Sequence, residues 1–289
     1  MSLQGHERGR AGGGDGPCPA RGAGRSRQGC PHSAGAGEGG GAMRLLASTL
    51  AFHPLSPDRA LERALALGFQ GVEVLCDPPW HPRGWPPRLV HRLKGAELSL
   101  HAPIADVNLI SPHPQARAFA EAELARTLEL AARLGARGVT FHLGYRSTGA
   151  PYDPPWGEAK AAIQRLSSLA RTLGVTLALE NDPKTPYSFL WDLQLYGRLL
   201  FELSLPGTLD LGHAWTAHGE ATLSLLPQLR PLIHSVHLHD NHGQEDEHLP
   251  LGEGTVQLEA AIPLLHPERW VVEATSPQAL AHDLHRLLG

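Results

Sequence analysis

Nine side chains of metal-binding type stand out in this chain of 289 residues: His101, His142, Glu180, Asp210, His213, His237, Asp246, His248 and Glu273. Most of them end short apolar runs, as in Glu97-Leu-Ser-Leu-His101, Val139-Thr-Phe-His142, Val175-Thr-Leu-Ala-Leu-Glu180, Thr208-Leu-Asp210, Val236-His237 and Trp270-Val-Val-Glu273. Imidazole and carboxylate donors of this mixture suit divalent cations such as Zn²⁺, Co²⁺, Mn²⁺ or Mg²⁺. A His or carboxylate buried without a partner is costly, and a shared cation satisfies several at once. A cation held this way supplies Lewis-acid chemistry at a substrate oxygen.

The elements that must deliver these groups follow from the pattern around them. Strands are expected at Arg44–Thr49, Gly71–Leu75, Glu97–His101, Gly138–His142, Val175–Glu180, Thr208–Asp210, Ser235–His239 and Trp270–Glu273. Between them apolar residues recur at helical spacing. Pro57 to Leu67 opens with Pro and closes at Gly68, Pro114 to Leu134 ends at Gly135, Trp156 to Leu173 ends at Gly174, and a last helix covers Pro277 to Leu288. Eight strands and eight helices in strict order predict an α/β fold, a (β/α)8 barrel, whose chemistry sits at the C-terminal strand ends. No Gly-x-Gly-x-x-Gly turn follows the first strand, so the dinucleotide-binding alternative lacks its fingerprint.

Composition narrows the class. Hydrophobic residues make up 42% and charged residues 19%, as in ordinary globular domains, and the formal net charge of −4 argues mildly against a nucleic-acid partner. The three cysteines, Cys18, Cys30 and Cys76, are too scattered for a disulfide framework, which suggests a reducing cytoplasm. No run reaches the 18 or so apolar residues of a membrane span. Residues 1–42 are Gly-, Arg-, Ala- and Pro-rich and are expected to be a disordered tail, or an upstream stretch included in the reading frame ahead of Met43. Residues 43–289 form the expected barrel.

Each candidate has a plainer reading beside its chemical one. Asp210 of Asp210-Leu-Gly-His213 could cap the following helix and leave His213 in solvent. His237-Leu-His239 puts two rings on one face of a strand, with His239 one layer from the site. Asp246-Glu247-His248 could be a solvated acidic loop. Glu180 and Glu273 could be structural ion pairs instead.

The motifs SLHAPIADVNL (99–109), FHLG (141–144), LEND (179–182), LDLGHAW (209–215), HLHDN (237–241), DEHLPLGEGT (246–255) and VEAT (272–275) resemble, in order, those of the xylose isomerase-like TIM barrel superfamily. That superfamily holds sugar isomerases and epimerases as well as repair enzymes of the endonuclease IV type (AP endonuclease family 2). Resemblance to the sugar branch implies one divalent ion on Glu180, Asp210, His237 and Glu273. The two glutamates would act as base and acid through an enediolate, and His213 would hydrogen-bond the substrate. His101, Asn108, His142 and Trp215 would then contact substrate. Resemblance to the repair branch implies up to three Zn²⁺, with Glu180 bridging two of them. His101 and His142 would hold the first, Asp210, His237 and Glu273 the second, and His213, Asp246 and His248 the third.

The surroundings favour a small sugar-type substrate. Neutralising DNA phosphates takes several Lys or Arg side chains. The loops after the strands offer only Arg83, Arg146 and Lys184, while Glu247 stands where the repair family has Arg and Ile104 where it has an aromatic. A metal-dependent sugar isomerase or epimerase is therefore expected, with a zinc phosphoester hydrolase as the alternative. A non-catalytic binding protein is disfavoured because sugar binding does not require two opposed carboxylates on a cation. Of Trp80, Trp85, Trp156, Trp191 and Trp215, one or two are expected to wall the pocket.

Overall fold

The computed structural model describes residues 43–147 and 152–289. The expected tail at 1–42 lies outside the described residues. Strands β1 (Leu45–Ser48), β2 (Gly71–Leu75), β3 (Leu98–His101), β4 (Gly138–Phe141), β5 (Thr176–Glu180), β6 (Gly207–Asp210), β7 (Ile233–Leu238) and β8 (Arg269–Val272) run parallel. They close into a barrel in chain order, with β8 pairing both β7 and β1. The fold matches the sequence expectation.

The helices form where local chemistry starts and stops them. α1 (Pro57–Leu67) begins on Pro57 with Asp58 in its first turn and ends on Gly68 at φ 110°, a conformation that costs glycine little. α2 (Pro87–Leu93) follows β2, and the long α3 (Pro114–Leu134) and α4 (Trp156–Leu173) follow β3 and β4. Leu124, Leu128 and Ala131 of α3 and Ile163 and Leu166 of α4 are buried. Each such Leu or Ile contributes roughly 1.5–3 kcal/mol relative to exposure. α5 (Leu193–Leu203) follows β5, capped by the Asp192 carboxylate.

Strict eight-and-eight alternation is not what the chain does. Two helices, α6 (Leu211–His218) and α7 (Ala221–Leu229), lie between β6 and β7, separated by Gly219 at φ 53°. The connection from β7 to β8 is mainly a long loop with one short helix, α8 (Leu258–Ala261), before α9 (Pro277–Leu288) closes the chain. That loop folds on a single carboxylate instead. Buried Asp240 accepts from the backbone N–H groups of Asn241 (2.8 Å), Gly252 (2.8 Å) and Val256 (2.9 Å). Asp240→Ala should leave those donors without their acceptor and destabilise the protein by about 3 kcal/mol. Thermal unfolding should show it, with faster amide exchange confined to residues 241–257. An unchanged exchange pattern there would show that the loop is held by something else.

Strand limits decide where donors emerge. His142, His239 and Glu273 each sit one residue beyond the last residue of β4, β7 and β8. The barrel interior below them is polar: the hydroxyls of Thr140 and Thr208 meet at 3.0 Å, and Arg269 reaches across to Ser99 at 3.4 Å. A Cβ at position 138 would collide with Arg269 Nη1, so Gly138 leaves the room that guanidinium occupies. Among the described residues no helix is long and apolar enough to cross a membrane.

Candidate metal centre

The barrel mouth brings all nine sequence candidates together. Glu180, at the end of β5, is the hub. Its Oε2 lies 3.0 Å from His101 Nε2 and 3.2 Å from His142 Nε2, while its Oε1 lies 2.9 Å from His237 Nδ1. Glu273 Oε1 reaches the same His237 nitrogen at 3.3 Å. A second group stands outside this one. Asp246 Oδ2 lies 3.2 Å from His213 Nε2 and 3.4 Å from His248 Nε2.

The other ring nitrogens are tied down, and this aims each imidazole. His101 Nδ1 faces the Ala102 carbonyl at 2.9 Å, His142 Nδ1 the Asp182 carboxylate at 3.0 Å, His213 Nδ1 the Asn181 carbonyl at 2.8 Å, and His248 Nδ1 the Glu273 carbonyl at 3.1 Å. With Nδ1–H donating, Nε2 keeps a free lone pair toward the centre. His237 is turned the other way, with Nε2 at 2.9 Å from Glu73 and Nδ1 inward. Glu73 was not among the sequence candidates, although a carboxylate inside the apolar run Gly71-Val-Glu-Val-Leu75 was its signal. Asp182 and Asn181 of the LEND motif are positioning residues. Asp182 Oδ2 also accepts from Leu190 N at 2.9 Å, and the Asn181 carboxamide bonds the Asp210 backbone at both ends, 2.8 and 3.1 Å.

Asp210 has the capping role of the plainer reading, but His213 is not left in solvent. Its Oδ1 caps α6 by accepting from His213 N at 2.6 Å, yet His213 is buried. Its Oδ2 is buried with no hydrogen-bond partner, and so is His237 Nδ1, 4.0 Å away. Glu73 Oε1 and His237 Nε2, although close, are not aligned for a hydrogen bond either. Orphaned buried donors and acceptors facing one another are costly unless something lies between them.

The electrostatics agree. Burial opposes ionisation of Glu180, but the His237 and His142 rings outweigh it and hold the carboxyl well below the usual range. Burial likewise disfavours the His101 cation, yet Glu180 lifts it to about 9. Burial also opposes the His248 cation, and Asp246 and Glu273 raise it to about 9. Among the described residues no Lys or Arg pairs with Glu180, Asp210, Asp246 or Glu273; their partners are all histidines. A cation would replace those protons. Zn–N bonds of about 2.0–2.1 Å set a tetrahedral ligand-to-ligand edge of roughly 3.3 Å. The closest pairs, 2.9 to 3.4 Å apart, bracket that edge, and the donors of each group all lie within 4.8 Å of one another, so the donor set fits a divalent ion.

A cavity of about 430 Å³ opens above the centre, walled by Leu50, Ile104, Val107, Tyr145, Tyr187 and Pro183 and floored by His101, His142, Glu180 and Glu273. Two of the sequence candidates for substrate contact stand apart from the cavity wall. Asn108 does not line the cavity: its carboxamide donates to the Tyr145 carbonyl at 2.7 Å and accepts from Ile110 N at 3.1 Å, joining two loops. Trp215 is also absent from the wall, because its indole is buried and donates to Thr255 Oγ1 at 3.0 Å. None of the five tryptophans singled out lines the cavity; its aromatic wall is Tyr145 and Tyr187.

The model of one family, described as "Xylose isomerase-like TIM barrel", matches residues 61–287. The chain belongs to that family. Among relatives of this xylose isomerase-like barrel, a probable endonuclease 4 of Mycobacterium ulcerans is 26% identical over 225 residues, covering 72% of this chain and 85% of its own. Among solved structures, a D-tagatose 3-epimerase-like protein superposes with a TM-score of 0.73 at 22% identity, covering 85% of this chain and 97% of that one, a likeness of fold. The TTHB071 protein from Thermus thermophilus, soaked with ZnCl₂, superposes with a TM-score of 0.66 at 26% identity over 85% of this chain and 97% of its own. Similarity therefore runs to epimerase-like and endonuclease-like barrels alike.

Proposed function

We propose that this barrel is a zinc-dependent phosphoester hydrolase with a polynuclear centre, acting on a substrate small enough for the cavity. The observation that carries the reading is the double engagement of Glu180: one oxygen faces His101 and His142, the other faces His237, and Glu180 also groups with Asp210 and His237. A mononuclear sugar site needs only Glu180, Asp210, His237 and Glu273, and would leave His101, His142, His213, Asp246 and His248 as surplus donors. The phosphoesterase reading uses all nine, so it displaces the sugar isomerase first expected. A relative called a probable endonuclease 4 and another soaked with zinc chloride support it.

Zinc bound there would supply Lewis acidity, polarising a phosphoryl oxygen and acidifying water. The chain's own residues do the rest. Asp182 orients His142 through its Nδ1, Glu73 places a carboxylate beside the far nitrogen of His237, and Tyr145, Tyr187 and Ile104 wall the cavity. Among the described residues the cavity wall contains no Lys or Arg. A long polyanion would lack the contacts that dominate nucleic-acid affinity, which favours a small organic phosphoester over duplex DNA. The same lack of cationic Lys or Arg side chains among the described wall residues favours the second reading, a sugar epimerase.

Metal content per chain, measured on the protein and on Asp246→Ala and His248→Ala, separates the two. The phosphoesterase reading expects three zinc ions, falling to two in either variant, with turnover of a small aryl phosphoester exceeding nicking of an abasic duplex. One ion, untouched by either substitution, together with epimerisation of a ketose, would overturn it.

A further inference from the structure

We infer that His239 is a fourth protein ligand of the outer donor group, closing that group around a divalent cation as a structural site. This rests on the reading that the outer group holds an ion, and not on which reaction the inner group serves. His239 was not among the nine sequence candidates, since the alternation of β7 placed it one layer away. β7 ends at Leu238, however, and His239 lies just beyond the strand. The His239 ring, 1% exposed, stacks on His248 at 4.0 Å between centroids and 15° between planes. Its Nε2 lies 3.3 Å from Asp246 Oδ1. His213, His239, Asp246 and His248 each offer one ligand atom, all within 4.8 Å of one another.

Three imidazoles and one carboxylate complete a tetrahedron. Structural zinc sites have four protein ligands, while catalytic ones keep a position open for water or substrate. Without His239 the outer group has three protein ligands and an open position; with it the position is filled. The outer ion would then anchor the loop after β7, which carries both Asp246 and His248, to α6. Substrate chemistry would be left to the inner group around Glu180.

Gly212 supports the placement. A Cβ there would collide with Cε1 and Nε2 of His239, so the ring reaches its position only beside a glycine. The competing role is visible too, because His239 Nε2 lies 3.1 Å from Asp210 Oδ1 and could merely orient that carboxylate.

The test uses the full chain loaded with Zn²⁺ or Co²⁺, compared with His239→Ala, His239→Gln and Gly212→Ala. In the parent, the Co²⁺ spectrum lost on Asp246→Ala should be the intense visible band of four-coordinate cobalt. In His239→Ala and Gly212→Ala that component should weaken to the five- or six-coordinate form. Affinity for the outer ion should fall at least about 100-fold, beyond the 10–100-fold usual for an orienting partner. His239→Gln, which keeps a donor toward Asp210, should not rescue it. An unchanged outer-ion spectrum in His239→Ala, or rescue by His239→Gln, would overturn the assignment. If Asp246→Ala removes no ion from the parent, the reading of an outer ion fails instead, a result separable from the first.

Discussion

Glu180→Gln should strip the inner ions from the barrel mouth while leaving the outer one. Glutamine keeps the size and one oxygen of glutamate, so packing is nearly conserved. It loses the anionic bidentate character through which Oε1 and Oε2 serve different donor sets. Metal content should drop by two ions per chain, and turnover by at least about 10³-fold. That is the scale of a charge-stabilising contribution of roughly 4 kcal/mol. Glu73→Gln is the graded control. It touches the far nitrogen of His237, 2.9 Å away, and should cost only about 10–100-fold in metal affinity. Elemental analysis beside a turnover assay reads both. Retention of parental metal content by Glu180→Gln would remove the bridging role.

Chelation should have the largest effect on stability. A ligand present at about 1,000 times its Kd stabilises the folded state by about 4 kcal/mol per site. For a domain near 250 residues each kcal/mol moves Tm by about 2–4 °C, so one saturated site corresponds to roughly 8–16 °C. Calorimetry of zinc-loaded and chelated protein should show a gap of at least that size. The gap should also depend on pH, with a definite sign. In the metal-free fold His101 and His248 are raised from 6.5 to about 9, each a net result of opposing burial and stronger neighbouring carboxylates. Their protonated forms therefore stabilise the metal-free fold below about pH 6.5, and this is lost as pH rises toward 9. Over the same window proton competition for the metal declines, so the gap should widen from pH 6.5 to 9. A gap that narrowed would mean that these rings do not hold the ion.

Much of the site was legible because a parallel barrel has one functional end. Once strands were recognised by their apolar runs, the residue ending each run was committed to the mouth. Asp210 shows the limit of choosing between alternatives, since it both caps α6 and faces the centre. Asn108 and Trp215 show another limit. Both belong to mouth segments, yet only tertiary neighbours reveal that the Tyr145 carbonyl and the Thr255 hydroxyl already satisfy them.

The linear pattern by itself determined the barrel, its mouth and which of the candidate side chains end its strands, because apolar runs and side-chain alternation are local properties. The folded chain decided how those donors divide. Which oxygen of Glu180 faces which ring, the entry of Glu73 and His239, and the neutral wall of Tyr145 and Tyr187 all depend on distances between segments far apart in sequence. Periodicity carries no such distances. β7 stops at Leu238, and His239 just beyond it stacks on His248 and approaches Asp246, contacts between segments that alternation along one strand does not place.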